Sequence, residues 1–267
     1  MTTNSTRARA LVTGASAGIG EGFAKQLARR GYDLVLVARR RNRLDAISQE
    51  LRDARGGDCQ VIEADLTQDE DVSRVEERLR AGDIDLLVNN AGFGTFGEFA
   101  TLPIERELQE VDLNIRALFR LTHAALGPMV ARKRGGIINV ASGAGFQPIP
   151  YNATYSATKA FVLHFSEALH EELRSHGVVV TCLCPGPVKT EFQEVAGLTE
   201  SFMPSFAWEP VDAVVEAALS GLRAGRAIVT PGLVNMMSTA SSRLAPRFFV
   251  RRTAAAMFRG QRFGGNS

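Results

Sequence analysis

The chain has 267 residues, 45% hydrophobic and 22% charged, which suits one large α/β domain with a full core better than two small ones. Its opening residues, MTTNSTRARA, lack the apolar core of a secretory signal, and no apolar run is long enough to span a membrane, so a soluble cytoplasmic protein is expected. The formal charge of +2 is unevenly spread, since no Asp or Glu follows Glu216 whereas eight arginines do, from Arg223 to Arg262.

Short β-rich runs alternate with longer amphipathic segments, the pattern of a parallel sheet covered by helices on both faces. Strands are predicted near 8–13, 33–38, 60–64, 84–89, 136–141, 178–184 and 227–230. Helices fill the gaps, with starts marked by Thr67 before an acidic turn, by Thr101-Leu102-Pro103 and by Glu209-Pro210. The expected fold is a single doubly wound, Rossmann-type α/β domain with a seven-stranded parallel sheet over residues 1–232, followed by a basic helical extension, 233–267. Cys182 and Cys184 fall in the sixth strand and Cys59 near the third; reduced core thiols are expected, since no Cys or His cluster completes a tetrahedral metal site.

The stretch TGASAGIG, Thr13 to Gly20, stands where the first strand ends and a helix begins, as a dinucleotide pyrophosphate site requires. Gly14 permits a tight turn, Gly18 lets backbone approach the phosphates, and Gly20 lets the helix pack closely; Ser16, Ala17 and Ile19 complete the turn. A cofactor binding through two ribose hydroxyls calls for a carboxylate at the end of the second strand. Here Ala38 is followed by Arg39-Arg40-Arg41. A guanidinium there can hold a 2′-phosphate through paired charge-assisted hydrogen bonds, so Arg39, helped by the Ser16 hydroxyl, argues for NADP over NAD. Arg40 and Arg41 read as a solvated helix start.

Tyr155 and Lys159 are four apart in a helical run, which puts them on one face. An ammonium beside a phenol stabilises the phenolate, so Lys159 is expected to lower the pKa of Tyr155 and make it a better acid. In reduction, Tyr155 would protonate the oxyanion left by hydride addition to a carbonyl; in oxidation, its phenolate would remove the alcohol proton. Ser142, at the end of the fifth strand, would polarise the same oxygen. His123, His164, His170 and His176 read as ordinary helix positions.

Taken together, these segments resemble the short-chain dehydrogenase/reductase family over nearly the whole chain up to about Pro231. The resemblance implies an NADP(H)-dependent oxidoreductase acting on a carbonyl or alcohol. It identifies Ala64-Asp65-Leu66 with the adenine contact and Asn90-Ala91-Gly92, after Asn89, with a segment shaping the cofactor site. Asn114 would hold a water linking Lys159 to solvent, and Pro185-Gly186-Pro187-Val188-Lys189-Thr190 would lie against the nicotinamide. A homodimer or homotetramer is expected, and no nucleic-acid partner. A non-catalytic NADP-binding sensor is the alternative, though it has no need of a proton donor and its Lys. Epimerase-like and enoyl-reductase chemistry fit less well, because such relatives differ in glycine spacing and in Tyr to Lys spacing.

Two segments stay open. Residues 192–208 mix Phe192, Phe202, Met203, Phe206 and Trp208 with polar residues, as either a lid or a packed surface loop would. With residues 147–152 they should form the substrate pocket, whose apolar content points to a hydrophobic substrate. The arginine-rich tail predicts one or two amphipathic helices that either touch an anionic membrane surface, bind an anionic carrier or acyl substrate, or pack on the domain or a partner subunit.

Overall fold

A computed structural model describes residues 7–55, 57–192, 208–244 and 246–258. Seven strands form one sheet, β1 (Arg9–Thr13), β2 (Asp33–Ala38), β3 (Cys59–Glu63), β4 (Leu86–Asn89), β5 (Gly135–Val140), β6 (Val178–Leu183) and β7 (Ile228–Val229). Every pairing is parallel and the spatial order is β3-β2-β1-β4-β5-β6-β7. The chain reverses its winding between β1 and β4, so a crevice opens above the carboxyl ends of those two strands.

The strands are buried on both faces because their side chains alternate between two helical layers. Ala10 and Val12 of β1, with Leu34 and Leu36 of β2, face Phe23 and Leu27 of helix α1 (Gly18–Arg29) and Val214, Val215 and Leu219 of α7 (Val211–Arg223). Helix α2 (Arg41–Arg55) adds Leu44, Ile47 and Leu51 to that layer. Leu11, Val35 and Val37 point the other way, toward Val72, Val75 and Leu79 of α3 (Asp69–Arg80) and Leu121 and Met129 of α5 (Leu118–Ala131).

The predicted helix starts are displaced by a residue or two. Gln68 precedes α3, whose first turn carries Asp69, Glu70 and Asp71 against the positive helix end. Pro103 and Pro210 stand just before α4 (Ile104–Val111) and α7 rather than inside them. Between α4 and α5 the helix widens into a π-helical turn, Asp112–Ala117, an insertion that no periodicity in the sequence announced.

Helix α6 (Ala153–Leu173) crosses the sheet after β5, and the three buried cysteines form no disulfide. The tail forms α8 (Leu233–Leu244) and α9 (Arg247–Phe258). No helix among the described residues is long and apolar enough to cross a membrane. Residues 193–207, the body of the predicted lid, lie outside the described residues, as do Arg259 and Arg262.

Candidate active site

A cavity of about 750 Å³ follows the crevice above the strand ends, a size typical of cofactor and ligand clefts. Its wall is assembled strand by strand. Gly14, Ser16, Ala17, Gly18 and Ile19 come from the turn after β1, Asp65 and Leu66 follow β3, and Asn90, Ala91 and Gly92 follow β4. Ser142 follows β5, Tyr155 and Lys159 come from α6, and Pro185, Gly186, Val188 and Thr190 follow β6.

Gly20 and Asn114 do not line the cavity, and each acts from behind it. A methyl on Gly20 would come within 2.1 Å of the Gly14 carbonyl oxygen and 2.6 Å of Asn90 Nδ2, so the missing side chain lets α1 press against its own turn. Asn114 is 1% exposed and sits in the π-helical turn. Its Oδ1 accepts the Phe93 amide at 3.1 Å, while Nδ2 donates to the Phe93 carbonyl at 2.8 Å and to Thr158 Oγ1 at 3.1 Å.

The glycine turn after β1 has the features of an anion site. Ala17 caps α1 without a side-chain acceptor, so the first amides of the helix keep their hydrogen-bonding capacity and its positive end faces the turn. Gly14 and Gly18 have φ of 65° and 56°, left-handed values that glycine adopts without strain. Thr13 Oγ1 accepts the amides of Asn90 and Ala91 at 3.0 Å each, and Asn90 Nδ2 donates to the Thr13 carbonyl at 2.9 Å, so β1 and β4 hold the crevice at one width.

At the outer end of the turn, Arg39 reaches into the cavity wall, 67% exposed, with only a 3.9 Å approach to Asp65. Asp65 is occupied mainly by Thr67, whose amide and hydroxyl donate to Oδ1 at 3.1 and 2.9 Å. Reading Arg40 as merely solvated requires correction. Its Nη2 donates to Ser16 Oγ at 3.2 Å and to the Ser16 carbonyl at 3.3 Å, and its Nη1 pairs with Glu191 at 2.8 Å. Arg41 does match that reading, being exposed and paired with Asp45 at 2.9 Å. Adjacent arginines at a strand end look alike in sequence; the turn into α2 is what aims the second one at Ser16.

At the inner end, Lys159 is buried and its Nζ donates to the Val140 carbonyl at 2.9 Å, 5.6 Å from the centre of the Tyr155 ring. Burial lowers the Lys159 ammonium to a pKa of about 8, opposed by the charge of Glu110 and, more weakly, of Cys182 and Cys184. Tyr155 keeps part of its surface on the cavity, and the nearby Ser142 hydroxyl favours its ionisation. Burial outweighs that effect and raises the phenol above its ordinary range, with Glu110 adding to the rise. The expected lowering of this pKa by Lys159 is therefore corrected: desolvation dominates, and the phenol stays protonated through neutral pH. Ser142 Oγ is fixed by the Ala144 amide at 3.1 Å.

Other wall residues carried no pattern in the sequence. Arg106 of α4 stacks over the Phe93 ring, 3.9 Å from its centre. Phe192 packs on Tyr155 with ring centres 5.5 Å apart. Asn235 of α8 donates to the Cys184 carbonyl at 2.9 Å and to the Pro231 carbonyl at 3.2 Å, and with Ser238 and Thr239 forms part of the wall. The first tail helix thus packs on the domain, while Leu233 and Met237 on its other side are exposed.

Residues 8–201 match the short chain dehydrogenase family. A very-long-chain 3-oxoacyl-CoA reductase from Anas platyrhynchos is 36% identical over 218 residues, 79% of this chain and 67% of that protein. A short-chain dehydrogenase from Sphingobium yanoikuyae, solved in complex with NADPH, is 35% identical with a TM-score of 0.82, covering 97% of this chain and 98% of the other. The bulky-bulky ketone specific alcohol dehydrogenase from Comamonas testosteroni is 32% identical with a TM-score of 0.78, covering 97% of both chains.

Proposed function

Because the chain belongs to the short-chain dehydrogenase family, we propose that it reduces a hydrophobic ketone or aldehyde with NADPH, using Tyr155 as the proton donor. The observation that carries this reading is the Tyr155 phenol, with Ser142 on the same wall and a buried Lys159 one helical turn away, at the inner end of the cavity whose outer end carries the glycine turn after β1. When bound, the nicotinamide supplies the hydride. Gly14 to Ile19 and the amides of α1 would hold the pyrophosphate, Asp65 and Leu66 the adenine, and Val188 and Thr190 the nicotinamide end.

Tyr155 and Ser142 lie on one wall of the cavity, and the Ser142 hydroxyl acts on the Tyr155 phenol, so both hydroxyls can face one carbonyl oxygen. As negative charge develops there, Tyr155 hands over its proton and the Lys159 ammonium stabilises the phenolate left behind. The proton returns through Lys159. A methyl on Gly92 would lie 2.8 Å from Asn114 Oδ1 and 3.3 Å from Lys159 Nζ, so the two polar atoms converge on the space that glycine leaves. A water held there would link the amine to solvent, which is the role proposed for Asn114.

Hydrophobicity of the substrate is favoured by Phe93, Phe96, Ile149, Phe192 and Trp208 on the wall. NADPH oxidation, followed with bulky aryl ketones, steroid ketones and 3-oxoacyl thioesters, should reach a turnover on the order of 1 s⁻¹ or more with the best of them. Tight NADPH binding without turnover of any carbonyl in that panel would favour the sensor instead.

The preference for NADPH rests on Arg39, Arg40 and Ser16. Losing one charge-assisted contact to the 2′-phosphate should raise the KM for NADPH by about tenfold to a hundredfold. Arg39→Asp, which also repels that phosphate, should show the larger effect and narrow the NADPH to NADH ratio; Arg40→Ala should raise the KM for NADPH and leave that for NADH unchanged. Equal effects of Arg40→Ala on both cofactors would remove Arg40 from the phosphate site.

A further inference from the structure

Helix α4 carries two carboxylates that the reaction described above does not use. Glu107 is 4% exposed and Glu110 0%, and Oε1 of each is buried without a hydrogen-bond partner among the described residues. The other oxygen of each is held by a threonine: Thr154 donates its hydroxyl to Glu107, and Thr95 donates to Glu110 at 2.9 Å. Burying two carboxylates three residues apart is costly, so what surrounds them matters.

Thr154, which holds Glu107, lies in the first turn of α6. Glu110 is tied instead to the strand of backbone that passes under the reacting groups. Gly92 lies against Lys159 Nζ and Asn114 Oδ1, and Phe93 is clamped by Asn114 through both its amide and its carbonyl. A methyl on Gly94 would meet the Tyr155 ring at 2.8 Å, and Thr95 ends the run on Glu110. The Thr95 carbonyl is fixed from the other side by Asn152 Nδ2 at 2.6 Å, at the start of α6.

On this geometry, and resting on the proposed reductase reading, we infer that Glu110 is a positioning residue for the proton chemistry: ionised, its carboxylate keeps Lys159 in the ammonium form, while Glu107 opposes that ionisation. Among the described residues, the charged groups that act on Glu110 are Glu107 and Arg106 on α4 and Lys159 on α6, and Glu110 in turn acts on the Tyr155 phenol. Thr95, from the intervening backbone, is neutral. Burial raises the Glu110 carboxyl to about 7; Glu107 adds to the rise, while Thr95 and Lys159 oppose it.

The sign follows. Reduction needs a positive Lys159, so activity falls as pH rises through the pKa of its amine. Below about pH 6 Glu110 is mostly neutral, and Glu110→Gln should match the parent. Above that the parent gains a negative charge that the variant lacks, so the falling limb of kcat in Glu110→Gln should move down by about half to one pH unit. At about pH 8.5 its kcat should be roughly three- to tenfold lower than the parent's. A uniform loss at every pH would mark a merely structural role and overturn the inference.

A second readout does not require turnover. The pH midpoint for labelling of Lys159 by trinitrobenzenesulfonate, read by peptide mass spectrometry on the full chain, should fall in Glu110→Gln and should not fall in Glu107→Gln. An unmoved midpoint in Glu110→Gln, or an equal fall in both variants, would overturn the assignment. If the parent reduced no carbonyl, the reductase reading would fail, and labelling would still decide the link between Glu110 and Lys159.

Discussion

Tyr155→Phe should lower kcat for carbonyl reduction by about two to four orders of magnitude, the usual range for losing a positioned general acid. The ring stays, so its packing on Phe192 and its place beside Gly94 are kept, and NADPH binding should change by less than about threefold, well under the value of one charge-assisted hydrogen bond. Burial makes the prediction sharper. The phenol is held above its ordinary pKa, so the proposed donor carries its proton across neutral pH when substrate arrives, and Lys159 restores that proton after each turnover. A kcat equal to the parent's, with NADPH binding intact, would mean that another group delivers the proton.

Gly20→Ala should have the second large effect, and at a place where no chemistry occurs. The added methyl would sit 2.1 Å from the Gly14 oxygen and 2.7 Å from its carbonyl carbon, contacts with backbone that no side-chain rotation relieves. Either α1 backs away from the turn or the turn opens, at a cost of about 1–3 kcal/mol, the usual range for overpacking. Both responses would displace the helix amides from the position proposed for the phosphate. NADPH affinity should drop by at least about tenfold, and the melting temperature should fall by about 2–4 °C for each kcal/mol lost in a chain of this size. Calorimetric titration with NADPH alongside thermal melting checks this, and unchanged values in both would show that the turn adapts without cost.

The sheet was legible in the sequence because most strands are short apolar runs bounded by turn residues and buried on both faces, so all seven were found within about two residues. The turn Thr13 to Gly20 and the Tyr155 to Lys159 spacing were legible for a related reason: local geometry alone brings those groups together. What escaped was nonlocal. Arg40 and Arg39 are neighbours in one strand-end run, and only the turn into α2 separates their roles. Glu110 looks like a solvent-facing position of an amphipathic helix, because nothing nearby in sequence shows that Thr95 will cover it. Desolvation of Tyr155 depends on residues distant in sequence, such as Gly94 and Phe192, that pack around it, so the short-range effect of Lys159 was the only one visible in advance.

The π-helical turn between α4 and α5 joins two stretches of helix whose surfaces answer to different neighbours. An unbroken α-helix repeats its faces at a constant 100° per residue, so a stretch phased to seat Leu121 and Met129 on the sheet would carry its upstream carboxylates to whatever azimuth that phase dictated. The extra residue acts as a slip in the thread. It lets the downstream half keep its grip on the sheet while the upstream half turns independently, and Asn114 occupies the coil where the slip is made.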